Sequence, residues 1–214
     1  MAVRNSRIRG LYVIIDPQQT RGRDPVEVAR LALAGGARIL QWRDKLRDKG
    51  DQLPDARAIR DLCRAHDALF FVNDHVDLAL ALAADGAHLG RRDLPLSLVR
   101  PWLPAGFLLG ASTNTVEEAK QAEREGAAYV AVGSIFPTAT KEDTRPAGLE
   151  RLREVRAAIG LPLVAIGGIS EENADAVIAS GADAVAVISA VCAAEDVEGA
   201  ARRLASRFTQ NATG

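Results

Sequence analysis

The sequence predicts an α/β protein, a single-domain (β/α)8 barrel of the TIM type, from three observations. Eight short apolar runs alternate with segments of helical spacing. The runs do not alternate in polarity, as expected of parallel strands buried on both faces. The chain of 214 residues falls within the length of such barrels, roughly 200 to 250 residues.

Taken in order, Leu11–Ile15 is a strand closed by Asp16-Pro17, and Val26–Ala34 is a helix stopped by Gly35-Gly36. Ala37–Trp42 is a strand feeding Arg43, Asp44 and Lys45, followed by a helix over Pro54–His66. Leu69–Val72, the helix Val76–Ala83, Ala87–Leu89 and a short helix over Pro95–Leu103 form the third and fourth units. Phe107–Ala111 ends at Ser112-Thr113-Asn114, and the helix Val116–Glu125 begins with acids, as its dipole prefers.

Tyr129–Gly133 is the sixth strand. A connection of 15 residues, Ser134 to Gly148, follows it, and a loop of that length in a compact domain is usually functional. The helix Leu149–Ile159, the strand Pro162–Ile166, the helix Glu171–Ser180, the strand Ala184–Ile188 and the helix Asp196–Phe208 complete the count. Gly-Ala pairs at 36–37, 86–87, 126–127 and 181–182 each lead into an even-numbered strand, a weak internal repeat. An open doubly wound sheet is the alternative, but no G-x-G-x-x-G follows the first strand.

Residues 1–214 are read as one domain, with 1–10 as an N-terminal extension. The 27 basic and 28 acidic residues nearly cancel, which argues against nucleic acid or an anionic membrane as partner. The N-terminal stretch passes directly into LYVIID, too short for a membrane span, and no secretory leader is expected. Two cysteines, Cys63 and Cys192, sit in apolar or helical segments and suit packing in a reducing, cytoplasmic compartment. Self-association is left open.

In a barrel the loops after the strands meet on one face, where active sites lie. That face collects Gln41, Arg43 and Lys45 after strand two, Asn73 and Asp74 after strand three, and His88 and Asp93 at strand four. Ser112 follows strand five, and Thr138, Thr140 and Lys141 lie in loop six. Cations beside two carboxylates suit a polyanion bridged by a divalent metal. Mg2+ is the natural choice, since one or two carboxylates plus phosphate oxygens and water suffice to hold it. Gly167-Gly168 and Ser189, after strands seven and eight, stand where such barrels commonly cradle phosphate. Two anions are implied, so the partners are small phosphorylated molecules.

Blander roles compete. Asp74 also suits the N-cap of the third helix, Asp93 a turn before Leu94-Pro95, and Thr138 and Thr140 loop hydrogen bonds. His88 suits a satisfied strand residue, Gly167-Gly168 a tight turn, and Arg43, Asp44 and Lys45 a solvated charge cluster.

From Leu11 to Phe208 the chain resembles the thiamine-phosphate synthase family. LYVIID resembles its opening strand, LQWRDK its Q-x-R-x-K segment, and VNDHVDLALALAADGAHLGRRDLP its N-D-R-x-D to G-x-D-L-P stretch. VGSIFPTATK, AIGGI and AVISA complete the match. The resemblance implies a Mg2+-dependent transferase joining hydroxymethylpyrimidine diphosphate to a thiazole phosphate. It implies Asp74 and Asp93 as Mg2+ ligands, and Arg43, Lys45, Asn73 and Lys141 on the diphosphate, with Arg43, Lys45 and Lys141 catalytic. It implies Gln41 and Ser112 on the pyrimidine, and Thr138, Thr140, Gly168, Ile188 and Ser189 on the thiazole phosphate. Diphosphate would leave through a carbocation-like centre that the thiazole nitrogen attacks, with no nucleophilic side chain required.

Four positions depart from the family pattern. Arg91 stands for a usual glutamine, Asn114 for histidine, His75 for arginine and Trp42 for leucine. The related thiazole tautomerase depends on a histidine near strand five, so Asn114 argues against it. A non-catalytic phosphometabolite-binding barrel would bind without Mg2+.

Overall fold

The computed structural model describes residues 6–137 and 147–210. Each of the eight apolar runs is a strand: β1 Gly10–Ile15, β2 Ile39–Trp42, β3 Leu69–Asn73, β4 Gly86–Leu89, β5 Leu108–Thr113, β6 Tyr129–Val132, β7 Leu163–Ile166 and β8 Ala184–Val187. All pair in parallel with their sequence neighbours. Closure comes from β1 against β8, with Gly10 opposite Ala184.

The helices are α1 Pro25–Ala34, α2 Lys49–Ala65, α3 Val76–Ala81, α4 Leu96–Val99, α5 Val116–Arg124, α6 Gly148–Ala158, α7 Ala174–Ala179, α8 Ser189–Cys192 and α9 Val197–Gln210. None among the described residues is long and apolar enough to cross a membrane. One core lies between strands and helices, built from outward side chains such as Val13, Leu40, Phe70 and Val130 packed on Val28, Ile59 and Leu152. A second fills the barrel, where Tyr12, Phe71 and Tyr129 meet ring to ring with centroids 5.4 to 6.2 Å apart. A side chain at Gly110 would run into the Tyr129 ring, so glycine there makes room for the aromatic. Cys63 and Cys192 are buried free thiols, as packing residues should be.

Helix ends differ from the sequence expectation for physical reasons. α2 begins at Lys49, five residues before the predicted Pro54, although the proline then sits inside the helix and costs it a hydrogen bond. The extra turn is held from outside: buried Gln52 accepts from Trp42 Nε1 at 2.9 Å and donates to the Arg47 carbonyl at 2.7 Å. The fourth helix splits into α4 and a 3-10 turn, Arg100–Trp102, where Pro101 lacks a donor. α7 starts only at Ala174, because Asn173 is spent on a turn, accepting from Ser170 N and donating to Gly168 O. The short helix α8 went unforeseen.

The Gly-Ala repeat is three-fold in conformation. Gly36, Gly126 and Gly181 have φ near +90° after helices, whereas Gly86 is already the first residue of β4.

Candidate active site

The strand ends open into one cavity of about 540 Å3. Gln41, Arg43, Lys45, Asn73, Asp74, Asp93, Ser112, Gly168, Ile188 and Ser189 all line it, so every candidate within the described residues shares one space. Thr138, Thr140 and Lys141 lie outside the described residues. A smaller cavity, about 360 Å3, lies near Arg7, Asp85 and Phe107 where strands begin, away from these groups.

Asp74 follows β3 in the left-handed region, with φ +60°, a conformation that Asp tolerates better than most residues and that clusters at functional sites. Its N–H donates to the His88 carbonyl at 2.9 Å, which ties the bend to β4. The N-cap of α3 is His75, so the capping role for Asp74 falls away. Lys45 Nζ stands 3.3 Å from Asp74 Oδ2. Asp93 does turn the chain, accepting from Gly90 N at 2.6 Å. Its carboxyl is pushed above the usual carboxylate range, first by burial and then by a side-chain hydrogen bond with Asp74 and the Asp74 charge. Gly90 N–H and Lys45 pull the other way. Two carboxyl groups facing one another repel when both are ionised. Among the described residues no cluster of three or more His, Cys, Asp or Glu suits a metal.

The Arg43-Asp44-Lys45 cluster divides between the cavity and the surface behind it. Arg43 and Lys45 enter the cavity, while Asp44 turns away, accepting from Leu46 N and Arg47 N and pairing with Arg47. Arg43 is held in turn by Asp16, whose other oxygen accepts from Gln18 N.

The floor is polar. Gln41 Nε2 donates to Tyr12 Oη at 2.5 Å, Tyr12 and Tyr129 hydroxyls meet at 3.0 Å, and His88 joins Tyr129 Oη through Nδ1 and Ser112 Oγ through Nε2, both at 2.9 Å. Across the barrel, Gly167 and Gly168 have φ +98° and +66°, and added side chains would strike Ser134 and Phe136-Pro137. They therefore bring loop seven against the root of loop six, where Ile135 N and Phe136 N bond to the Ile166 and Gly167 carbonyls at 3.0 Å. Ser189 begins α8, whose far end is gripped by Arg23 through the Cys192 and Ala194 carbonyls.

With the cavity defined, comparison with known proteins becomes decisive: the family model described as thiamine monophosphate synthase matches residues 11–191. The chain belongs to this family. It is 52% identical over 199 residues to the thiamine-phosphate synthase of Methanoculleus marisnigri, covering 92% of this chain and 94% of that one. It is 50% identical over 201 residues to that of Moorella thermoacetica, covering 94% and 96%. The solved thiamine phosphate pyrophosphorylase of Pyrococcus furiosus superposes with a TM-score of 0.89 at 42% identity, covering 98% of this chain and 99% of that one. The chain is accordingly an enzyme of the thiamine-phosphate synthase family with a single (β/α)8 barrel fold.

Besides Trp42, which bonds to Gln52, two departures from that family's pattern have visible partners. Arg91 pairs with Glu118 at 3.4 Å. Asn114, with its amide turned to satisfy both groups, donates to the Gly133 and Thr113 carbonyls at 2.8 and 3.0 Å and so ties β5 to β6. Sequence reasoning missed Asp16, Tyr12, Tyr129 and Asn173. The Asp16-Pro17 pair looked like a strand terminator only, and the two tyrosines looked like ordinary members of apolar runs.

Proposed function

We propose that the chain joins 4-amino-5-hydroxymethyl-2-methylpyrimidine diphosphate to hydroxyethylthiazole phosphate, giving thiamine phosphate and diphosphate. One observation carries this reading: a single cavity has a carboxyl pair with cations on the β2–β4 arc and a glycine-lined loop with Ser189 on the β7–β8 arc. That arrangement suits two different anions facing one another.

Asp74 and Asp93 would hold Mg2+, because two facing carboxyl groups flanked by one ammonium suit a hard cation whose remaining ligands are phosphate and water. When bound, Mg2+ neutralises charge on the departing diphosphate. Arg43 and Lys45 add to that neutralisation, Asn73 donates to a phosphate oxygen, and Lys141 joins them from loop six. Gln41 and Ser112 orient the pyrimidine on the barrel floor. Thr138, Thr140, Gly168, Ile188 and Ser189 hold the thiazole phosphate.

The C–O bond to diphosphate breaks first, leaving positive charge on the pyrimidine methylene. The thiazole nitrogen then supplies its electron pair to that carbon. No side chain forms a covalent bond, so the residues work by position and charge. A turnover assay with both substrates, with and without Mg2+, on the native chain and Asp93→Ala tests the reading. Thiamine phosphate should form only in the native chain with Mg2+, and turnover insensitive to both changes would overturn it.

A further inference from the structure

We propose that Gln41, Tyr12, Tyr129, His88 and Ser112 form one directional hydrogen-bond chain, in which Tyr129 and His88 are positioning residues that make Ser112 a proton donor toward the cavity. The inference builds on the assignment of Gln41 and Ser112 to the pyrimidine.

The direction is set by where the Tyr12 hydroxyl proton goes. Gln41 Nε2 donates to Tyr12 Oη at 2.5 Å, and in the proposed direction the Tyr12 hydroxyl gives its single proton to Tyr129 Oη, 3.0 Å away, rather than accepting a second one. The single Tyr129 proton then goes to His88 Nδ1 at 2.9 Å, which must be bare to accept it. A neutral ring therefore carries its proton on Nε2 and gives it to Ser112 Oγ, also at 2.9 Å. The Ser112 proton is the one left over, and Ser112 lines the cavity.

Both tyrosine hydroxyls stay protonated, because full burial pushes their pKa values well above the ordinary range. The His88 and Tyr129 rings also stack, centroids 5.6 Å apart, which fixes the imidazole plane.

Polarity at the two ends has a chemical meaning. Gln41 spends an N–H on Tyr12 and keeps its carbonyl oxygen as an acceptor, while Ser112 presents a donor. An acceptor and a donor lining one cavity match an exocyclic amine and a bare ring nitrogen, both of which a 4-aminopyrimidine carries. A 4-oxopyrimidine replaces the amine donor by a carbonyl acceptor, which the Gln41 carbonyl oxygen cannot satisfy and only the second Gln41 N–H could meet. The relay thus selects amine over carbonyl, and buried polar mismatches are the strong discriminators in such sites.

The first test is nitrogen NMR of His88 in the ligand-free native protein at pH 7.5. A neutral ring protonated on Nε2 is expected, and an Nδ1–H tautomer or an imidazolium overturns the proposal, whatever reaction the enzyme performs. The second test is Tyr129→Phe, which removes one hydroxyl and keeps the ring. It should lower kcat/KM for the aminopyrimidine diphosphate about tenfold and weaken its preference over the 4-oxo analogue by a similar factor, with the thiazole-phosphate KM unchanged. Adding Ser112→Ala to Tyr129→Phe should cost little more than Ser112→Ala alone. Unchanged discrimination, or losses that multiply independently, overturns the relay, while absence of thiamine phosphate formation by the native chain overturns the function and leaves the NMR result standing.

Discussion

Asp16 and Arg43 form an ion pair across the ends of β1 and β2, the aspartate side chain 2% exposed and the guanidinium 22%. Removing Asp16 would free the charge of Arg43 but also its geometry, and for a bidentate cation at an anion site the geometry dominates. Asp16→Ala should raise the KM for the pyrimidine diphosphate about tenfold, with Asp16→Asn in between because its amide still reaches Arg43. Steady-state kinetics decides, and tighter binding in Asp16→Asn would show that charge outweighs position.

Chelation of divalent metal should abolish turnover, and Asp74→Ala and Asp93→Ala should each lower kcat/KM by about 100-fold or more. Thermal stability should hold, because each change relieves two acids in contact. Turnover with circular dichroism on the same samples separates a lost site from a lost fold.

Gly168→Ala should weaken both the fold and the thiazole-phosphate grip. Its φ is +66°, and the new methyl group would come within 2.7 Å of the Pro137 carbonyl. Left-handed strain of about 1–2 kcal/mol adds to displacement of the loop-six root. Calorimetry should show a lower Tm, and the KM for the thiazole phosphate should rise more than that for the diphosphate substrate.

Asp44 sets an acid limit on stability. Burial pushes its carboxyl up, but backbone N–H groups of Leu46 and Arg47 and the Arg47 guanidinium outweigh burial and hold it below the usual carboxylate range. A depressed folded pKa gives stability that is present above the unfolded value, about 4, and is lost as pH falls below it. Asp44→Asn should therefore cost about 1 kcal/mol at pH 7 and less at pH 3, measured by urea unfolding.

The sequence showed where the strands are and which polar groups sit at their ends, because apolar runs and the residues closing them are local features. It did not show which way each strand residue faces. Strands buried on both sides read as uniform apolar runs, so Tyr12 and Tyr129 gave no sign that their hydroxyls meet inside the barrel. His88 was legible as a satisfied strand residue and is one, bonded at both nitrogens, yet its partners are on β5 and β6. Tertiary bonds also moved helix boundaries, as Trp42 and Gln52 did for α2.

The root of loop six has its two arms stitched to each other and to loop seven. Ala147 N reaches Ser134 O at 2.7 Å, Gly148 N reaches Ile135 O at 3.2 Å, and Phe136 N reaches Gly167 O. A segment bounded by such a clasp can change in composition or length without disturbing the closure between β6 and β7. Replacing residues 138–146 by those of another family member should therefore alter turnover while leaving the Tm unchanged.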